Sequence, residues 1–191
     1  MRFWYILLLM IDIILNIDNV VNIFFSNLLN QYNFLYPIFN LITFFGSETF
    51  IIFFSIALSL YFLIKERFDI LGIFSKKYLI PFWFSIFFAE GITFFLKNLV
   101  DRVGPAGRML LENDPSFPSA HATIAVAFYG VLYLLFKRGR PVYLFLTLLI
   151  IFMIGLSRLI LNVHFLSDIL AGYLIGAFGL FVAMYVSKKI K

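Results

Sequence analysis

Apolar stretches of about 20 residues, the length that crosses a bilayer as a helix, recur along the chain with only short polar gaps between them. No water-soluble core of this size hides so much apolar surface. Of 191 residues, 63% are hydrophobic and 13% charged, against roughly 45–50% and about 25% in a soluble domain. The chain therefore reads as an all-α, multi-pass membrane protein forming a single domain over 1–191. The gaps predict six transmembrane helices: Phe3 to Ile17, Ile38 to Ile64, Tyr78 to Leu99, Ala120 to Phe136, Val142 to Ile160 and Phe165 to Val186. Between the first two, Val20, Ile23, Phe24 and Leu28 recur at helical spacing among asparagines. That pattern predicts an interfacial helix near the N-terminus, over 19–33. The first residues run straight into apolar sequence without a small-residue cleavage site, so no removed signal peptide is expected. With no cysteine, disulfides and thiolate metal sites are excluded.

Charge orients the spans. Cytoplasmic loops carry an excess of Lys and Arg. Six spans put both termini on one side with the loops at 65–77 and 137–141, and that side holds 11 of the 15 cations. The remaining four are Lys97, Arg102, Arg108 and Arg158. They lie on the predicted outer face, against the topological bias, which points to a functional reason for them.

Those four cations belong to three polar islands that also contain both histidines of the chain. One island runs from Lys97 to Arg108. The second is Pro118-Ser119-Ala120-His121, and the third is Ser157-Arg158, then His164, then Asp168. His164 and Asp168 are four apart, hence one turn apart on one helix face. Asp168 can then hold one ring nitrogen of His164 and leave the other as a nucleophile. A turn near Asn162-Val163 must separate Arg158 from His164. Pro118 suits the first turn of a helix, which would aim the N–H groups of Ser119, Ala120 and His121 at an anion. Glu90, seven residues before Lys97, lies on the same helical face two turns deeper. An intramembrane carboxylate is a functional candidate by default, with a buried Tyr or Ser partner as the structural alternative. Imidazoles, a carboxylate and clustered cations together suit the handling of a phosphate.

Lys97 with Pro105, then Pro118-Ser119-Ala120-His121, then Ser157-Arg158-x5-His164-x3-Asp168 resemble the three-part signature of the type 2 phosphatidic acid phosphatase (PAP2) superfamily. The resemblance covers the chain from about Phe44 to its end. The third motif matches at every defining position, and the second has Ala120 where Gly is usual. The first departs: the family pattern is Lys, six residues, Arg-Pro, and here Gly104 precedes Pro105. Arg102 and Arg108 are the two candidates to supply the missing guanidinium. The small size is similar to that of bacterial lipid A 1-phosphatases.

The resemblance implies a PAP2-like helical bundle and a metal-independent lipid phosphatase with no cofactor. His164, oriented by Asp168, attacks phosphorus and forms a phosphohistidine. His121 protonates the leaving group and then activates water. Lys97, Arg158, Ser119 and Arg102 or Arg108 hold the phosphate. The expected partners are the bilayer and a phosphorylated lipid such as lipid A 1-phosphate, a polyprenyl diphosphate or phosphatidylglycerophosphate. Neither nucleic acid nor an obligate protein partner is expected. The implied location is the bacterial cytoplasmic (inner) membrane, with both termini in the cytoplasm and the site on the periplasmic face. A phosphotransferase using the same phosphohistidine is the nearer alternative. A transporter is the more distant one, because its ionisable residues would sit at mid-membrane between repeats.

Overall fold

Small residues near the end of the chain decide how the helices pack. In the computed structural model, a Cβ on Gly172 would come within 2.7 Å of the Ser119 carbonyl oxygen and 2.9 Å of Ala122 Cβ. One on Gly176 would come within 2.8 Å of Val126 Cβ, and one on Gly179 within 2.9 Å of Ala89 Cβ. Helices in lipid gain little from burying apolar surface against each other, so close backbone approach over small residues is what joins them. The structure describes residues 2–66, 79–110, 114–136 and 141–189. Its helices are α1 (Arg2–Gln31), α2 (Leu35–Phe44), α3 (Glu48–Glu66), α4 (Leu79–Val100), α5 (Ala120–Phe136), α6 (Pro141–Ile160) and α7 (Leu166–Lys189).

The glycine face of α7 meets α5 and α4, and these three helices form the centre. Thr93 of α4 and Thr123 of α5 are 3.2 Å apart at their hydroxyls within it. Ile51, Phe82, Ile86, Ile124 and Phe128 fill the space where α3, α4 and α5 converge. Around the centre, α6 packs on α5, α2 on α6, and α1 on α6 and α7. The Tyr173 hydroxyl donates to the Ile151 carbonyl at 2.9 Å, joining α7 to α6.

Among the described residues, α1, α4, α6 and α7 are long and apolar enough to cross a membrane, and α2 with α3 passes as a pair bent by 43°. α5 is apolar but shorter. The expectation of six spans thus meets four full-length helices, one bent pair and one short helix. The bend at Gly46-Ser47 was not foreseen. Gly/Ser pairs are among the recognised causes of sharp kinks, and the Ser47 hydroxyl caps α3 by accepting from Phe50 N–H at 3.2 Å.

The interfacial helix over 19–33 is corrected: α1 is one helix from Arg2 to Gln31. Two of its polar residues, Asp18 and Asn22, turn toward the other helices, while Asn19, Asn27 and Asn30 stay exposed. Asp18 is buried, and both it and Asn22 bond to residues more than 80 positions away. Inward polar partners gave the segment its amphipathic look. The cation-rich stretches at 67–78 and 137–140, with Tyr78, lie outside the described residues.

Candidate active site

The turn after α6 builds the first half of the site. Asn162 adopts a positive φ of 55°, a left-handed conformation that Asn tolerates better than most residues. The reversal lets the Arg158 carbonyl accept from the N–H of Val163 at 3.1 Å and of His164 at 3.4 Å. Arg158 is fully buried, and its Nη1 donates to the Thr43 hydroxyl of α2 at 2.8 Å. α7 then starts at Leu166, and Asp168 in its first turn accepts from Phe165 N–H through Oδ2 at 2.9 Å. A third-position carboxylate reaching back to the N-cap N–H is half of a capping box. The same Oδ2 lies 3.5 Å from His164 Nδ1.

The start of α5 is bolted to this turn. Ser119 N–H donates to the Asp168 main-chain oxygen at 3.0 Å. The expectation that this N–H faces an anion is therefore corrected: it is spent on joining the second and third motifs. Pro118 lies two residues before α5 rather than in its first turn. His121 lines a cleft of about 540 Å³ with Arg158, Thr43, Ser47, Tyr36 and Leu110. His121 also lies within electrostatic reach of Arg158, His164 and Lys97.

The segment after α4 closes over the site. Its backbone is tied to the turn by Met109 N–H donating to the Leu161 carbonyl at 3.2 Å and by Asn162 Nδ2 donating to the Ala106 carbonyl at 2.8 Å. Asn22 of α1 donates to the Asn162 side-chain oxygen. The Lys97 amino group, at the end of α4, donates to the Asp114 carboxylate and the Pro115 carbonyl. Burial raises the Asp114 carboxyl, but the hydrogen bond and charge of Lys97, with a main-chain hydrogen bond and the nearby His164, together hold the group below the usual carboxylate range.

The two candidate arginines divide. Arg102 reaches two buried carboxylates, donating to Asp168 Oδ1 at 2.6 Å and to Asp18 Oδ2 at 2.7 Å. Its guanidinium lies 4.2 Å from the centroid of the Phe165 ring. It pairs with these rather than with its neighbour Asp101. The Arg108 guanidinium fills the space that a side chain on Gly104 would enter, and its Nη1 is 3.4 Å from the Asp114 carbonyl. Glu90 does not line the cleft; its Oε1 is buried without a hydrogen-bond partner among the described residues. Sequence reasoning missed Asp18, Asn22, Thr43 and Asp114 as parts of the site. Only Asp18 had a signal, as a carboxylate within an apolar run.

Comparison with known proteins agrees with this architecture. The PAP2 superfamily pattern matches residues 78–191, a shorter stretch than the one expected from Phe44. Phosphatidylglycerophosphatase B of Bacillus subtilis is 33% identical over 105 residues, 50% of this chain and 51% of that protein. Lipid A 1-phosphatase of Rhizobium johnstonii is 27% identical over 121 residues, 56% of this chain and 47% of that protein. The chain thus spans about half the length of these curated relatives. The crystal structure of a transmembrane PAP2-type phosphatidylglycerolphosphate phosphatase from Bacillus subtilis superposes with a TM-score of 0.81 at 21% identity, covering 99% of this chain and 95% of that one. Aquifex aeolicus LpxE superposes with a TM-score of 0.67 at 22% identity, covering 91% and 95%. These likenesses establish the shared fold, and with the pattern over 78–191 the conclusion is that this membrane chain belongs to the PAP2 superfamily.

Proposed function

We propose that the chain is a bacterial inner-membrane lipid phosphatase that works through a phosphohistidine on His164. One observation carries this reading: a single cleft is lined by His121, Arg158 and the α2 residues Tyr36, Leu41 and Phe44. It offers a cation and an imidazole for a phosphate, beside apolar surface for the lipid that bears it. Asp168 faces Nδ1 of His164, which leaves Nε2 as the attacking nitrogen. Nε2 forms a bond to phosphorus as the bond to the leaving oxygen breaks, and His121 gives that oxygen its proton. His121 then takes a proton from water, which hydrolyses the phosphohistidine and releases phosphate. Lys97, Arg158 and Arg108 neutralise the phosphoryl oxygens, and Ser119 supports the α5 end of the site. Fixed cations supply most of what phosphoryl transfer needs, so the chemistry proceeds without a metal.

The test is phosphate release from purified protein in detergent, with and without a chelator. The panel comprises phosphatidylglycerophosphate, lipid A 1-phosphate, a polyprenyl diphosphate and phosphatidic acid. Release from phosphatidylglycerophosphate is expected to be fastest, insensitive to chelator and abolished in His164→Ala. Equal release by wild type and His164→Ala sinks the reading, and transfer to an added lipid acceptor without phosphate release makes the chain a phosphotransferase. The positive-inside count supports an outward-facing site. Cysteine at Val103, 87% exposed, should then react with an impermeant thiol reagent in intact cells, and cysteine at Lys188 should not. The reverse labelling puts the site in the cytoplasm.

A further inference from the structure

We propose that Asp18 of α1 is a positioning residue for His164, acting through Arg102 and Asp168. The proposal rests on the reading of His164 as the nucleophile. Asp18 and Asp168 are 1% and 0% exposed, and the Arg102 guanidinium bridges them, Nη2 to Asp18 and Nη1 to Asp168. Ser167 locks the bridge from the α7 side. Its N–H donates to Asp18 Oδ1 at 2.9 Å, its hydroxyl donates to Asp18 Oδ2, and it accepts from Arg102 Nη1 at 2.7 Å. Every oxygen of the two carboxylates is thereby engaged, and both helices are fixed around one planar cation.

The charge count gives the bridge its meaning. One guanidinium between two carboxylates leaves one net negative charge beside the His164 ring. Were Asp168 alone with Arg102, the pair would be neutral and Asp168 would face Nδ1 with its charge cancelled. Asp18 draws on the same guanidinium, so Asp168 keeps charge to offer. That charge matters most when Nε2 bonds to phosphorus and the ring becomes cationic, because an electrostatic contact that strengthens in the transition state raises the rate rather than the affinity. The contacts of Asp18 run to Arg102 and Ser167. It acts by geometry and charge through its partners, as outer-shell groups do at other sites, where their loss costs about 10–100-fold.

The chain has two histidines, so protein labelled with 15N-histidine reports both rings, assigned with His121→Gln. Asp18→Asn keeps the shape and removes the charge. In this variant the His164 ring nitrogens are expected to shift as the Nδ1 hydrogen bond weakens, while His121 stays in place. Turnover should show kcat reduced about 10–100-fold with KM within about twofold. In an Asp168→Asn background, Asp18→Asn should add little, because residues acting as one unit are not additive. Arg102→Lys keeps the charge but loses the two-pronged bridge, and is expected to give the same ring shift. An unmoved His164 ring in both variants overturns the proposal, as does an equal shift of both rings. The ring readout needs no turnover. A chain without phosphatase activity that still shows the His164 shift therefore refutes the proposed function and leaves the bridge standing.

Discussion

α1 and α7 each send one carboxylate to the same guanidinium, yet the two carboxylates differ in how far their partners lie along the chain. Asp168 stands four residues after His164 and three after Phe165, and its Oδ2 reaches back to both from the first turn of its own helix. Asp18 finds Arg102 84 positions away and Ser167 149 positions away. The helices differ in packing as well. α7 presents glycines against α5 and α4, whereas most of the first half of α1 is exposed. A central helix is held by shape along its length. A peripheral one is held at a few polar points, and in lipid those points are costly to leave unpaired.

The largest expected effect falls on the local carboxylate. Asp168→Asn keeps the volume but loses the charge facing His164 Nδ1 and weakens the acceptor for Phe165 N–H. A positioned acid–base partner contributes about 10²–10⁴-fold, so kcat for phosphate release should fall by about that range while KM changes little. If Asp18→Asn costs as much as Asp168→Asn, the ranking of local over distant carboxylate is broken, and the bridge acts as one indivisible group.

What was legible in the sequence follows the same division. His121, Arg158, His164 and Asp168 stood out because short-range spacing carries chemistry: a four-residue step puts two side chains on one helix face whatever the rest of the chain does. The helix ends were legible for the same reason, since α4, α6 and α7 begin and end within a few residues of the apolar runs. Three features were not. The Gly46-Ser47 bend is one small pair inside an apolar run. The continuity of α1 was hidden because inward polar residues mimic an amphipathic surface pattern. The role of Arg102 depends on Asp18, and nothing in either residue's neighbourhood names the other. Long-range partners are set by tertiary packing, which periodicity does not encode.

A smaller effect separates the two arginines of the segment after α4. Both terminal nitrogens of Arg102 bond to carboxylates, whereas Arg108 lies over Gly104 beside the segment that Lys97 holds. A planar guanidinium binds phosphate with two parallel bonds that an ammonium cannot reproduce. Arg108→Lys should therefore raise KM about tenfold, the equivalent of roughly 1.4 kcal/mol, with kcat changing less. Arg102→Lys should act on kcat instead. A reversed pattern, with KM responding to Arg102 and kcat to Arg108, would place Arg102 on the phosphate and dissolve the division between bridge and ligand.

The smallest effect belongs to the exposed counterpart of the buried bridge. Lys97 and Asp114 form an ion pair in which the Asp114 side chain is 55% exposed, so water screens most of its worth and exposed pairs give about 0.2–1 kcal/mol. Burial raises the Asp114 carboxyl, but the hydrogen bond and charge of Lys97, with a main-chain hydrogen bond and the nearby His164, together hold it below the usual carboxylate range. A depressed folded-state value means that the pair stabilises the fold above the ordinary carboxylate value, near pH 3.9. The contribution is lost as pH falls through the lower folded-state value. Asp114→Asn should therefore lower the melting temperature in detergent at pH 7 by a few degrees at most. The gap from wild type should close as the pH is taken below about 4. A gap that persists unchanged below the folded-state value as well means that Asp114 acts through its shape and main chain rather than its charge. The clasp on Lys97 would then resemble the buried bridge in being set by geometry, and the contrast between exposed and buried pairs would fail.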